Sequence, residues 1–276
     1  MALTAELPDL SSRYAVSPAD VESYRRDGHV LLPGVASQAE VAAYREVIES
    51  AATDGSEERP PLAERDLYGR AFLQTMNLWR GHEGVARFVL ARRFAGVAAA
   101  LLGVERVRLY HDQALFKEAG GGITPWHQDA GYWPLDGERC LTMWMPLQDV
   151  RPEMGTLQFA SGTNAAGSLG DLVISQESED HFTTVVQGRY AVTPPVSLAA
   201  GDATFHGGWT VHRAFPNTTD RMRAVMTVIW FADGTTVLGD LGEHQRNDLA
   251  TWLPGCGPGD VAGGELNPVL AGDAPA

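Results

Sequence analysis

Hydrophobic positions follow a helical period over roughly the first hundred residues and mostly alternate after that. Ser17-Pro18-Ala19-Asp20 offers an N-cap, a proline at the first helical position and an early acid, so the pattern predicts a helix running to Asp27 and stopped by Gly28. His29-Val30-Leu31-Leu32, before Pro33-Gly34, predicts a short strand. Ser37 and Glu40 form a capping-box pattern that opens a second helix to about Ala52. Asp54 to Arg65 is polar and reads as a loop, and a third helix is expected from Gly84 to Leu102, ended by Gly103.

Beyond Gly103 the expected strands are Val107 to about Lys117, Ile123–Asp129, Leu141–Leu147, Thr156–Ala160, Ala203–Phe205, Trp209–Ala214 and Arg223–Trp230. Gly, Pro, Asn and Asp clusters separate them. Helices first and short strands afterwards predict a mainly β protein, a sandwich or barrel with helices packed outside it. Residues 1–252 are read as a single domain, and 253–276 as an irregular Pro/Gly-rich tail.

Charge narrows the partners. Asp and Glu number 35 against 21 Lys and Arg, a net charge of −14, which argues against nucleic acid and against an anionic membrane surface. Two cysteines, Cys140 and Cys256, lie far apart and give neither a disulfide framework nor a zinc site. The N-terminus lacks the pattern of a secretory signal, and the apolar stretch Val85–Leu102 carries Arg87, Arg92 and Arg93. These features predict a soluble cytoplasmic protein.

The candidate chemistry lies in His127-Gln128-Asp129. Side chains two apart on a strand share a face, and an imidazole with a carboxylate is two-thirds of a facial metal triad. With 8 histidines in the chain, such a pair alone is weak. His212 is the best third ligand: a hairpin turning at 216–219 would pair it with Arg223 and aim both into one cavity. A metal beside a guanidinium suits a dicarboxylate, one end on each. His206 competes with His212, and a shifted turn would exchange Arg223 for Arg221.

These residues resemble the phytanoyl-CoA dioxygenase family of Fe(II)/2-oxoglutarate oxygenases. The likeness rests on Asp27–Gly34, Asp112–Lys117, Thr124–Asp129, Leu141–Trp144, His212, Pro216-Asn217 and Arg223, in that order, and covers roughly residues 17 to 233. It implies a double-stranded β-helix, a cupin-like jelly roll buttressed by N-terminal helices. It makes His127, Asp129 and His212 the iron ligands and Arg223 the partner of the distal carboxylate of 2-oxoglutarate. Gln113, Thr124, Trp144 and Gln74 match positions lining the cosubstrate pocket. Many members carry serine where this chain has Ala214. Asp129 argues against halogenation, for which members have a small residue there.

The expected activity is an Fe(II)-, 2-oxoglutarate- and O2-dependent hydroxylation or other oxidation of a small organic molecule, a specialised metabolite, with release of succinate and CO2. Tyr132, Trp133 and Trp209 are the expected substrate contacts, being aromatic and close to the ligands in sequence. The rivals are a non-catalytic jelly-roll metal-binding module, a zinc hydrolase and a hydroxylase of an acyl-CoA thioester. The acidic balance weighs against the last.

Overall fold

The computed structural model describes residues 6–53 and 60–271, so the first six positions of the expected loop, 54–59, lie outside the described residues. The elements are α1 (Pro18–Asp27), β1 (His29–Leu32), α2 (Gln38–Thr53), α3 (Leu67–Ala71), β2 (Leu73–Met76), α4 (Glu83–Val89), α5 (Arg92–Leu102), β3 (Arg106–Lys117), β4 (Thr124–His127) and β5 (Cys140–Pro146). Then come β6 (Leu157–Ser161), α6 (Gln176–Val186), β7 (Ala191–Val192), β8 (Ala203–Gly207), β9 (His212–Ala214), β10 (Arg223–Ala232), α7 (Glu243–Trp252) and β11 (Val269–Ala271).

The N-terminal signals operate as expected. Ser17 and Asp20 close a reciprocal capping box on α1, and Ser37 and Glu40 exchange the same two bonds at the start of α2. The third expected helix is two helices. Ala91 is extended (φ −60°, ψ 125°), and the Arg93 amide bonds to the Leu10 carbonyl at 3.2 Å. The break sets Phe88 edge-on to Phe94 at 4.9 Å, a contact that one straight helix would prevent by placing them on different faces. Helices hold 34 % of the residues and strands 25 %, so the expected β predominance describes the core layers and not the chain.

All strands pair antiparallel, in two sheets. The larger runs β1-β8-β5-β10-β3-β11, with β2 also on β3; the smaller runs β4-β9-β6-β7. Every residue of β10 is buried, so its alternation sorts two interiors rather than inside from outside. Ala224, Met226, Val228 and Trp230 face the helical layer, joining Phe88, Phe94 and Phe205 in the main core. Arg223, Thr227 and Ile229 face a cavity shared with the smaller sheet. The same parity puts Leu141, Met143 and Met145 of β5 in the core and Thr142 and Trp144 on the cavity.

Two expectations about connections need correction. The chain from β9 to β10 is not a hairpin: β9 pairs with β4 and β6, whereas β10 pairs with β3 and β5. Asn217 explains the crossing, its amide donating to the carbonyls of Lys117 (3.2 Å), Glu118 (3.0 Å) and Arg221 (2.7 Å), which pins the turn to the far end of β3. The tail is also not wholly irregular, since β11 adds to the β3 edge with Leu270 opposite Val107. Among the described residues, no helix is long and apolar enough to cross a membrane.

Candidate active site

His127 on β4 and His212 on β9 are direct cross-strand partners, with ring centroids 4.2 Å apart. Each ring is oriented by its own chain. The Nδ1 of His127 lies 2.7 Å from the Pro125 carbonyl, and that of His212 lies 2.9 Å from the Thr210 carbonyl. A carbonyl only accepts, so both Nδ1 atoms carry the proton and both Nε2 atoms present a lone pair. Those Nε2 atoms lie 3.5 and 3.8 Å from Asp129 Oδ1. One ligand atom from each of the three residues falls within 4.8 Å of the others. The donor set of two neutral imidazoles and one carboxylate fits a divalent first-row metal.

Asp129 reaches this point differently from the expected shared strand face. β4 ends at His127, and Asp129 begins a single 3₁₀ turn, Asp129–Gly131. Gln128 anchors that turn by donating to the carbonyls of Gly167 and Trp209 at 2.9 and 2.6 Å. Thr142 donates to the outer oxygen, Asp129 Oδ2, at 3.1 Å, and His206 Nε2 lies 3.3 Å from it. Burial works against the Asp129 charge, but His212, His127 and His206 around it hold its carboxyl well below the usual range. His206 thus stands behind Asp129, and Arg221 is exposed while Arg223 is buried.

Arg223 begins β10 and meets the same cavity from the opposite sheet. It donates to the carbonyl of Gly155 at 2.6 Å and to that of Leu115 at 3.4 Å, while its Nε has no partner among the described residues. Gly155 has φ +82°, and a Cβ there would sit 2.4 Å from the Phe215 carbonyl, so only glycine fits the loop that holds the guanidinium. Burial lowers the Arg223 pKa, to about 9, and among the described residues no carboxylate forms an ion pair with it. Lys117 is its cross-strand partner, buried, with its pKa lowered to about 6 by burial and then by Arg223. It donates to Thr124 Oγ1 at 3.3 Å and to the Gly122 carbonyl. A buried guanidinium with no ion-paired acid among the described residues fits an incoming carboxylate, which would restore the interactions that burial removed.

The cavity measures about 310 Å³. Gln113, Thr124, Trp144 and Gln74 all line it, as do Tyr132 and Trp133. Gln113, Thr227, Trp144 and Thr204 form one row across β3, β10, β5 and β8. Trp209 does not line it: the turn through Gly207-Gly208 sends its indole over Gly137, where a Cβ would lie 2.8 Å from the ring. Sequence reading missed Lys117, buried opposite Arg223 without lining the cavity, though its parity with Gln113 on β3 was a usable signal. It also missed Asn247, Asp248, Thr251 and Trp252 of α7, which close one side.

The sequence model for phytanoyl-CoA dioxygenase matches residues 24–225. The methylphosphonate hydroxylase of Gimesia maris is 25 % identical over 240 residues, covering 84 % of this chain and 86 % of that protein. The ectoine dioxygenase of Stutzerimonas stutzeri is 28 % identical over 149 residues, 52 % of this chain and 49 % of its own. Among solved structures, the alpha ketoglutarate dependent carbocyclase SnoK from nogalamycin biosynthesis superposes with a TM-score of 0.75 at 27 % identity, covering 93 % of this chain and 97 % of that one. The epimerase SnoN, in complex with Fe3+, alpha ketoglutarate and nogalamycin RO, gives 0.70 at 28 % identity, covering 92 % and 100 %.

Proposed function

The chain belongs to the phytanoyl-CoA dioxygenase family, and from that premise we propose that His127, Asp129 and His212 hold its Fe(II) and that Arg223 takes the distal carboxylate of its 2-oxoglutarate. The protein is an Fe(II)/2-oxoglutarate-dependent dioxygenase that oxidises a small organic molecule, with O2 consumed and succinate and CO2 released. The observation that carries the residue assignment is the convergence of three ligand atoms on the cavity into which a buried, acid-free guanidinium also opens. We read the two facing sheets as a double-stranded β-helix, or jelly roll, in one oxygenase domain that includes β11. The free thiols, one of them buried, support a cytoplasmic location.

When bound, Fe(II) with 2-oxoglutarate supplies the oxidising chemistry. The chain's own residues bind, orient and exclude. His127 and His212 offer fixed Nε2 lone pairs, and Thr142 and His206 occupy Asp129 Oδ2 so that Oδ1 faces the imidazoles. Lys117 stands opposite Arg223 across the β3–β10 pair, and Gln74 donates a 3.1 Å hydrogen bond to Gln113 Oε1. Trp144 lies 5.3 Å beneath the Arg223 guanidinium and keeps water from it. Ala214 brings no hydroxyl to the cavity at that position, whereas its cross-strand partner Thr124 does.

The likeness to nogalamycin-pathway enzymes over nearly the whole chain supports a specialised metabolite as substrate, hydroxylated or otherwise oxidised between Tyr132 and Trp133. The test is succinate release from 2-oxoglutarate with Fe(II) and O2, across a panel of small metabolites. A compound that raises the rate identifies the substrate class. A protein that makes no succinate with any compound contradicts the reading.

A further inference from the structure

α7 is the cavity wall that the iron and 2-oxoglutarate do not use. None of its side chains is fully buried, yet Asn247, Asp248, Thr251 and Trp252 line the cavity. Spacings of one, four and five residues from Asn247 put these four on one stripe of the helix. Within the stripe, Asp248 is the only charged group.

Its carboxylate is held in place. Tyr110 donates to Asp248 Oδ2 at 2.8 Å, and the Trp252 indole N–H also favours its charged form. Tyr110 is the extra residue of a bulge in β3, for Ile229 faces His111 and Trp230 faces Leu109, leaving Tyr110 without a partner on β10. A bulge re-aims a side chain, and here it points a buried hydroxyl at α7. Both donors are neutral. Among the described residues no Lys or Arg forms an ion pair with Asp248, and the one charged influence on it is His244, a turn earlier on the same helix. Burial lifts its pKa to about 6, so it remains mostly ionised at neutral pH with His244 as its one charged neighbour among the described residues.

The surfaces around it are aromatic. Tyr68, Phe72, Tyr132, Trp133 and Trp252 all line the cavity. A fixed carboxylate among aromatic faces stabilises an organic ammonium in two ways, by charge and by the ring quadrupoles. It gives nothing comparable to a neutral group and repels an anion.

We propose that Asp248 is the specificity anchor of this cavity and that the substrate presents a protonated amine to it. The inference rests on the oxygenase reading, which assigns the opposite end of the cavity to the metal and the cosubstrate.

The test is equilibrium dialysis of the Fe(II)- and 2-oxoglutarate-loaded protein without O2, with three probes that share a phenol ring. Tyramine is cationic, 4-propylphenol is its neutral counterpart, and 3-(4-hydroxyphenyl)propionate is anionic. Wild-type protein should bind tyramine about tenfold more tightly than 4-propylphenol, with the propionate weakest. Asp248→Asn keeps the shape and an acceptor for Tyr110, and should bring tyramine and 4-propylphenol to within about twofold. Tyr110→Phe keeps the charge and should retain the preference. Equal wild-type affinities, no uptake of tyramine at millimolar concentration, or a preference that survives in Asp248→Asn would overturn the proposal. Uptake of 2-oxoglutarate in the same cells reports separately on the oxygenase reading, whose failure would show as its absence from wild-type protein.

Discussion

At one end of the cavity the Arg223 guanidinium is buried with no ion-paired acid among the described residues; at the other a carboxylate, Asp248, is sheltered with no ion-paired Lys or Arg among them. The ends also differ in construction. The first is built on β3, β4, β5, β9 and β10, whose cavity-facing side chains are fixed by strand register and mostly buried. The second is one helix with no fully buried side chain. A reaction common to many substrates needs fixed distances, which paired strands provide, whereas recognition of one substrate can be carried by an element that changes without disturbing the sheets.

The most severe break at the strand-built end is Asp129→Ala. It should abolish succinate formation and the thermal stabilisation given by added Fe(II), both measurable on one preparation. Retained turnover at near wild-type rate would remove Asp129 from the ligand set.

Arg223→Leu comes next. Truncating a buried, hydrogen-bonded charge contact costs about 2–5 kcal/mol, so the 2-oxoglutarate requirement should rise about 30-fold or more while Fe(II) binding is kept. A saturation curve for succinate release checks it, and a larger effect of Arg221→Leu would move the carboxylate clamp to the exposed arginine.

His206→Phe should lower Fe(II) affinity about 10- to 100-fold, because Asp129 Oδ2 then keeps only its bond from Thr142. Activity should return at saturating iron. Loss that no iron concentration restores would make His206 a direct ligand.

Trp209→Phe is the smallest change. Its ring is outside the cavity, so the half-saturating concentration of whichever metabolite stimulates succinate release should stay within about twofold of wild type. A large increase would return Trp209 to the substrate site.

The strand-built end was legible in the sequence because strand parity and short spacings carry it. Arg223, Thr227 and Ile229 alternate with core residues, and the His127–Asp129 pair and Arg223 could be named from their context. The route to Arg223 was nevertheless misread. A two-strand hairpin and a crossing between sheets look alike in residues 212–223, and only the three bonds from Asn217 decide between them. Similarly, the apolar run from Gly84 to Leu102 conceals a break that no Gly or Pro marks. Asp129 lies beside His127, but a 3₁₀ turn rather than a shared strand face delivers it. The helical end was illegible for a physical reason. Glu243–Trp252 carries few apolar residues, and a helix that buries no complete side chain leaves no periodic stripe to read. Asp248 acquires its significance only from Tyr110, 138 positions away.

The central claim, that the strand-built end assembles one Fe(II) with one 2-oxoglutarate, is tested most directly by titrating the protein with both under nitrogen and following the weak visible absorption of the iron–2-oxoglutarate chelate. The account predicts a band that saturates at one equivalent of iron per chain, disappears in Asp129→Ala, and needs far more 2-oxoglutarate in Arg223→Leu. A wild-type protein that gives no such band, or a band unchanged in both variants, would contradict it.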